Sequence, residues 1–212
     1  MIFLANKNIK RMVIGLMTLL LLASCSISKK ATSNYPKIND EKPVAILIMP
    51  PINKTNHVEA DEMIYSSLMT PFANKGYYVF PPMLSLDFLR HESAPDAEPF
   101  LDAPVKIFGD IMGADAVLFT VIKQWDKDAL NGDISINIRY LLRSAKSNET
   151  LFDYSEIGKV DTKVMNSNDG VFSFVAIIAN AISTALTDKI GAARNANLKM
   201  IQQVPGGKYY SK

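Results

Sequence analysis

The sequence has few of the residues that most often carry covalent structure or chemistry. Its 212 residues include one cysteine, one tryptophan and two histidines. A single cysteine excludes an intramolecular disulfide. His57 and His91 have no partner at a ligand spacing such as His-Glu-x-x-His, so we expect no metal site. Gly-x-Ser-x-Gly and glycine-rich phosphate loops are also missing. These absences favour a protein that is not an enzyme.

Only one long apolar run occurs, near the N-terminus. Three basic side chains precede apolar residues 12–22, and two small residues follow them. This order is typical of a secretory signal peptide, and the run is shorter than the about 20 residues of a membrane-spanning helix. We therefore predict that residues 1–24 form a signal peptide that is removed.

The lone cysteine directly follows this segment. Leu22-Ala23-Ser24-Cys25 resembles the bacterial lipobox, in which a peptidase cuts before a cysteine that carries a diacylglyceryl group. The resemblance implies that Cys25 becomes an N-acylated, diacylglyceryl-bearing N-terminus, and we predict no other cofactor. Several acyl chains, at about 0.8 kcal/mol per buried CH₂, hold a protein on a membrane. The alternative is an ordinary signal peptide followed by an unmodified cysteine.

Residue 26 and the charge balance bear on location and partners. Ser26 stands where the sorting rule of such lipoproteins expects aspartate for inner-membrane retention, so we predict the periplasmic face of the outer membrane. Whether any part reaches the cell surface stays open. Without the leader, 20 of the 23 basic side chains remain against 21 acidic ones. A balance of about −1 without basic blocks argues against nucleic-acid binding.

The remaining chain suits one domain with a sizeable core. Residues 25–42 are polar and lack an apolar period, which predicts a lipidated flexible tether. We predict a single α/β domain at 43–204 and a mobile tail at 205–212. The docking of the tether on the domain as a strand is an alternative.

The first half of the domain has the pattern of a βαβ unit. Apolar residues 44–49 predict a buried strand that ends at Pro50-Pro51. Asn56 is placed to cap a helix that ends at Gly76, and residues 77–80 predict a second strand, before Pro81-Pro82. Parallel strands would bring both proline pairs to the same edge of the sheet.

The second half predicts an antiparallel three-stranded meander. Residues 116–122 form the first strand, Asn131-Gly132 indicates a tight reversal, and alternating apolar residues at 134–142 lead to a third strand at 151–157. We also expect a helix over 105–112 capped by Asp102, and a long helix over 171–186 that packs on the sheet. The fold class is therefore α/β, a mixed β-sheet with helices packed on it.

Four segments resemble a family of bacterial lipoproteins of undetermined function, one member of which is described as a surface antigen and vaccine candidate. They are ILIMPPINKT, GYYVFPP, IFGDIMGADAVLFTVIKQW and LLRSAKSNETLFDYS. The resemblance implies a fold similar to the TolB N-terminal domain and to CsgG-like periplasmic domains. It also implies a gene neighbourhood with a CsgG-like outer-membrane protein, and we take a CsgG-like lipoprotein as a candidate partner.

The loop after the first strand is the candidate binding site. Ligands of α/β sheets tend to lie beyond the carboxyl ends of parallel strands, where Asn53, Lys54 and Thr55 are expected beside Pro81-Pro82. Our leading hypothesis is a docking surface of an envelope or secretion assembly module. The alternatives are a small-ligand or peptidoglycan-binding lipoprotein, a hydrolase with converging carboxylates, and prolines that merely end strands. The oligomeric state stays undetermined.

Overall fold

We describe a computed structural model of the chain, over residues 35–94, 96–127, 133–160 and 184–210. Six helices and six strands lie in these ranges. The helices are α1 (Pro36–Glu41), α2 (Glu59–Asn74), α3 (Pro82–His91), α4 (Glu98–Leu101), α5 (Lys106–Met112) and α6 (Thr184–Gln203). The strands are β1 (Ala45–Ile48), β2 (Ile52–Asn53), β3 (Tyr78–Val79), β4 (Ala116–Lys127), β5 (Ile134–Ser144) and β6 (Thr150–Val160). No helix among them is both long enough and apolar enough to cross a bilayer.

The strands form one mixed, open sheet in the order β3-β1-β4-β5-β6. β1 pairs in parallel with β3 and β4, while β4, β5 and β6 pair antiparallel. The predicted fold class, the βαβ unit and the meander are therefore confirmed. Asn131-Gly132, the predicted reversal between β4 and β5, lies outside the described residues.

β1 ends just before Pro50-Pro51, as predicted, and the pairing with β4 that resumes after the prolines adds to that prediction. Ile48 lies opposite Leu118, and the chain then rejoins β4 as β2, with Ile52 opposite Val121. The prolines have no N–H to donate, so the ladder cannot pass through them. One extra residue is accommodated there, as in a β-bulge.

Apolar side chains fill both faces of the sheet, as the uninterrupted apolar sequence of β1 predicts. On one face, Ile46, Leu118 and Ile138 pack under α2 and α6. On the other face, Leu47 and Phe119 contact a second cluster that includes residues of α3 and α5. This second cluster stops at Leu141, so the outer halves of β5 and β6 present polar side chains there.

The domain extends further at both ends than the predicted range 43–204. Residues 35–42, assigned to the tether, include α1, whose Ile38 is buried. The Tyr35 ring lies 4.5 Å from that of Phe152 on β6. At the other end, the Gly207 amide donates to the carbonyl of Lys75, at 2.8 Å. Residues 35–42 and 205–210 are thus ordered by contacts with distant elements, which no local periodicity reveals.

Two predicted helix caps are wrong. α2 begins at Glu59 with Val58 at the cap position, so Asn56 does not cap it. The backbone amide of Val105, at the start of α5, donates to Oδ1 of Asn148, which lies in a distant turn. Asp102 therefore does not cap this helix. The last described helix, α6, extends to residue 203, beyond the predicted end, and residues 171–183 of that prediction lie outside the described ranges.

Candidate functional site

The three predicted loop residues lie where expected, at the carboxyl end of the parallel strands. Asn53 is the last residue of β2 and is opposite Ile122 of β4, and the Lys54 amide donates to the Ile122 carbonyl at 2.9 Å. β3 runs parallel to β1, so Pro81-Pro82 follow it at the same end of the sheet. The predicted common edge is therefore confirmed.

The Asn53 side chain holds the loop in one conformation. Its Oδ1 accepts hydrogen bonds from the amide and the hydroxyl of Thr55, at 3.0 and 2.8 Å. Its Nδ2 donates to the carbonyl of His57 at 2.8 Å. These bonds form an Asx turn and occupy the amide of Asn53 on both sides. A ligand could use this amide only by breaking contacts that shape the loop.

Two further side chains tie this loop region to its neighbours. Lys54 forms an ion pair with Glu98 of α4, at 2.5 Å, and both side chains are about half exposed. The Tyr65 hydroxyl of α2 lies 2.9 Å from the carbonyl of Pro82 and 2.6 Å from the hydroxyl of Ser85. Burial raises the pKa of Tyr65, so it stays a neutral hydrogen-bonding group. Sequence reasoning missed Tyr65 and Glu98, since neither is near the loop in sequence.

Apolar side chains at this end of the sheet are unusually exposed. Val58, between the loop and α2, is 82% exposed, and Met83, in the first turn of α3, is 56% exposed. Leu84 beside it is also exposed. We call Asn53–Thr55 together with Val58, Met83 and Leu84 the loop surface. Exposed apolar patches mark interaction sites, which makes these three side chains the basis of a candidate docking surface.

Basic side chains of the same chain lie close to the carboxylates near the loop. Lys189 of α6 hydrogen-bonds Glu59, and this bond lowers the pKa of the Glu59 carboxyl. His57 has its Nδ1 3.9 Å from Glu59 and its Nε2 3.8 Å from Asp126. Within the described ranges, no group of three or more histidine, cysteine or acidic side chains is placed to hold a metal ion.

A cavity of about 310 Å³ lies at the opposite end of the sheet, away from the predicted site. It is bounded by α1, the start of β1, Tyr77 and residues 205–208. The Tyr77 hydroxyl donates to the Pro205 carbonyl at 2.8 Å. The predicted lipid-attachment residue, Cys25, lies outside the described residues.

Comparisons with known proteins agree with this architecture. The chain is 25% identical over 183 residues to “Putative lipoprotein NMB1124/NMB1162” of Neisseria meningitidis serogroup B, covering 85% of this chain and 84% of the relative. The crystal structure of lipoprotein GNA1162 from N. meningitidis superposes with a TM-score of 0.51 at 23% identity, covering 65% of this chain and 96% of that chain. The two proteins therefore share a fold.

A second solved structure is more distant. The PelC dodecamer from Paraburkholderia phytofirmans matches with a TM-score of 0.48 and 11% identity, over 78% of this chain and 90% of that chain. We draw no functional argument from it. The family described as “Putative lipoprotein GNA1162-like” matches residues 33–208, nearly the whole described part of the chain. The chain therefore belongs to this lipoprotein family, which implies a membrane-anchored protein of the cell envelope.

Proposed function

We propose that this chain is a lipoprotein of the outer membrane, periplasmic face, that acts as a non-enzymatic binding and assembly module for a cell-envelope or secretion complex. The loop surface is its docking site, and a CsgG-like lipoprotein is a candidate partner. The observation that carries the proposal is the loop held by Asn53 beside exposed Val58 and Met83.

The rigidity of the loop supports docking. Binding costs free energy for every side chain and loop that becomes ordered, about 0.5–1.5 kcal/mol for each flexible side chain. The hydrogen bonds of Asn53 to Thr55 and His57 make this cost small, because they already hold the loop in one conformation. Val58 and Met83 then supply apolar area that a partner can remove from water, at about 25 cal/mol per Å².

The proposed anchor limits where the domain can work. Cys25 and Tyr35 are separated by about ten backbone steps, so an extended chain spans at most about 35 Å. Tyr35, the first described residue, can thus lie no farther than that from the acylated cysteine. A partner must be in, or close to, the same membrane.

Recovery of partners from intact envelopes tests the docking site. We would crosslink cells that make the full chain, solubilise the envelope in detergent and identify the attached proteins. Val58→Asp and Met83→Asp are expected to lower recovery of a specific envelope protein about tenfold, which corresponds to about 1.4 kcal/mol. Ile111→Asp is the matched control, because Ile111 is 65% exposed on α5, just before the opposite end of β4.

Two results would contradict this proposal. One is equal recovery with Val58→Asp, Met83→Asp and Ile111→Asp, which would leave the loop surface without a docking role. The other is a mature mass that shows an unmodified Cys25 thiol, which would remove the anchor. Fractionation of the envelope separately tests the outer-membrane assignment. A Cys25→Ala variant should no longer be found in the outer-membrane fraction.

A further inference from the structure

The cavity lies at the end of the sheet that the predicted tether enters. α1 follows the tether and forms one wall of the cavity, and Tyr77 and residues 205–208 form other parts of the wall. β1 and β3 both begin at this end, since Ala45 pairs with Tyr78. The start of α1 can lie no farther than about 35 Å from an acylated Cys25. The proposed anchor, on which this inference rests, therefore keeps the cavity end of the domain close to the membrane surface.

Lysines, and no acids, are the charged residues that line this cavity in the described part of the chain. Lys42, directly after α1, and Lys208, in the C-terminal turn, are both exposed. Neither forms an ion pair with a described carboxylate, whereas Lys37 of α1 pairs with Glu149 at 3.1 Å. Asp40 of α1 is exposed but does not line the cavity. The two ammonium groups at the cavity are therefore available to an anion.

The rest of the cavity wall is mainly apolar. Ile38 and Pro43 are buried beside it, and Pro205 is half-buried. The Tyr77 hydroxyl donates to the carbonyl of Pro205 at 2.8 Å, so its proton is already used. A volume of about 310 Å³ is at the lower end of the range for small-molecule sites, about 300–1,000 Å³. Cations at the border of a small apolar cavity fit an anion that carries an apolar group, such as a phosphate ester.

Two exposed tyrosines follow in the same turn. Tyr209 is 65% exposed and Tyr210 is 43% exposed. The Nζ of Lys208 lies 5.5 Å from the centre of the Tyr209 ring, and the Nζ of Lys75 lies 5.5 Å from the centre of the Tyr210 ring. The Tyr209 amide donates to the carbonyl of Gly76 at 3.0 Å, which fixes this turn at the end of the sheet. Tyrosine, with an apolar ring and a polar hydroxyl, is enriched where the apolar and aqueous regions of a membrane meet.

We propose that this end of the domain is a membrane-contact surface whose cavity binds the phosphate of an anionic phospholipid headgroup between Lys42 and Lys208. Tyr209 and Tyr210 lie at the level of the headgroups in this arrangement. The chain has a net charge of about −1 without its leader, so attraction to an anionic membrane requires a local basic surface of this kind.

A lipid, rather than a soluble ligand or a protein, is the occupant that the position of the cavity favours. The proposed anchor keeps lipid headgroups near the cavity at a high effective concentration, so even a weak site is filled. A soluble phosphate would use the lysines but would make no use of the exposed rings of Tyr209 and Tyr210. The loop surface lies at the opposite end of the sheet and is then directed away from the membrane, towards a partner.

Vesicle binding of the chain without its acyl groups tests the headgroup site. We would prepare residues 25–212 with Cys25→Ala, which retain every described residue, and measure co-sedimentation with phosphatidylcholine vesicles that contain or lack phosphatidylglycerol. The chain should bind only the vesicles that contain phosphatidylglycerol. Lys42→Gln/Lys208→Gln should lower the partition coefficient about thirtyfold, since each lysine near an anionic membrane contributes about fivefold. Tyr209→Ser should lower it as well.

Lys123→Gln/Lys159→Gln is the matched control. It removes the same charge from two exposed lysines of β4 and β6 that do not line the cavity and form no ion pair with a described carboxylate. Its binding should equal that of the parent chain. The fluorescence of the buried Trp125 during urea unfolding would verify that each variant is folded.

Three results would overturn the proposal. The first is equal sedimentation with both kinds of vesicle, and the second is an equal loss of binding in the two double variants. The third is a thermal midpoint that inorganic phosphate raises in the parent chain, but not in Lys42→Gln/Lys208→Gln, when vesicles bind neither, because the cavity would then take soluble phosphate. All of these chains lack the anchor, so their failure to bind leaves the acylation of Cys25 to the mass measurement of the mature protein.

Discussion

Replacement of Asn197 with leucine should destabilise the domain more than any surface change of equal size. Asn197 lies on α6 and is fully buried. Its Oδ1 accepts the hydroxyl of Tyr140 on β5 at 2.8 Å, and its Nδ2 donates to the carbonyl of Ile64 and the hydroxyl of Ser67 on α2. One side chain thus joins α6 to a sheet strand and to α2.

The expected magnitude follows from the groups left without partners. Leucine has the same branching and the same number of side-chain heavy atoms as asparagine, with two methyl groups in place of the amide oxygen and nitrogen, so the main cost is polar. The buried Tyr140 hydroxyl loses its acceptor, at about 1–3 kcal/mol, and the bonds to α2 are lost as well, at about 0.5–1.5 kcal/mol each. We expect Asn197→Leu to lower the free energy of unfolding by about 2–6 kcal/mol. Asn39→Leu, on the exposed side of α1, should change it by less than about 0.5 kcal/mol.

A double-mutant cycle isolates the bond between the two side chains. Tyr140→Phe removes the hydroxyl, so Tyr140→Phe/Asn197→Leu should cost about 1–2 kcal/mol less than the sum of the single changes. Urea unfolding can be followed by the fluorescence of Trp125, the one tryptophan of the sequence, which is buried. If the single costs add to within about 0.5 kcal/mol, the two groups are not coupled and the argument fails.

Three further predictions concern other contacts. Arg143→Met should lower the free energy of unfolding by about 2–4 kcal/mol in urea titrations, because the buried guanidinium donates hydrogen bonds to two backbone carbonyls and to Asn148. A cost below about 1 kcal/mol would contradict this. Gly76→Ala should expose residues 205–210 to limited proteolysis, because φ is +84° and a Cβ would come within 2.1 Å of the amide nitrogen of Tyr210. Gly158→Ala, with no atom within 4 Å, is its control and should cut like wild type. Burial, and then the bond to Glu156, raise the pKa of Tyr154 to about 12 from an ordinary value of 10.0. The stabilising contribution of neutral Tyr154 is thus complete below pH 10 and is lost as the pH rises towards 12. In thermal melts, Tyr154→Phe should therefore lose less stability than the wild-type chain over that interval. Equal losses in the two proteins would refute the assignment.

Strand and helix periodicity predicted most of the fold because the buried faces repeat locally. The apolar run of β1 has both faces covered, and the alternation Ile134, Ile136, Ile138 lies on one buried face of β5. The pairing that resumes after Pro50-Pro51 was not predicted, since a single sequence does not show that Ile52 lies opposite Val121 of β4. Asn56 and Asp102 were predicted to cap helices, but neither caps a helix in the structure.

The candidate site was predicted in position but not in its interactions. Residues 53–55 follow a parallel strand, and topology alone takes them to the carboxyl edge. Asn53 bonds to its own neighbours and holds the loop, whereas Lys54 pairs with Glu98 across 44 positions of sequence. The sequence did not show which of these roles each side chain has. The assignment of Cys25 stays a prediction, since that residue lies outside the described ranges.

The sequence by itself determined the family, the order of most strands and helices and the place of the proposed loop, because apolar periodicity and short motifs act over a few residues. Only the tertiary structure decided what covers each edge of the sheet. Tyr35 contacts β6, and Gly207 contacts Lys75 at the C-terminal end of α2, across more than a hundred positions. Such contacts form between groups that carry no local signal, so they become visible only after the chain is folded.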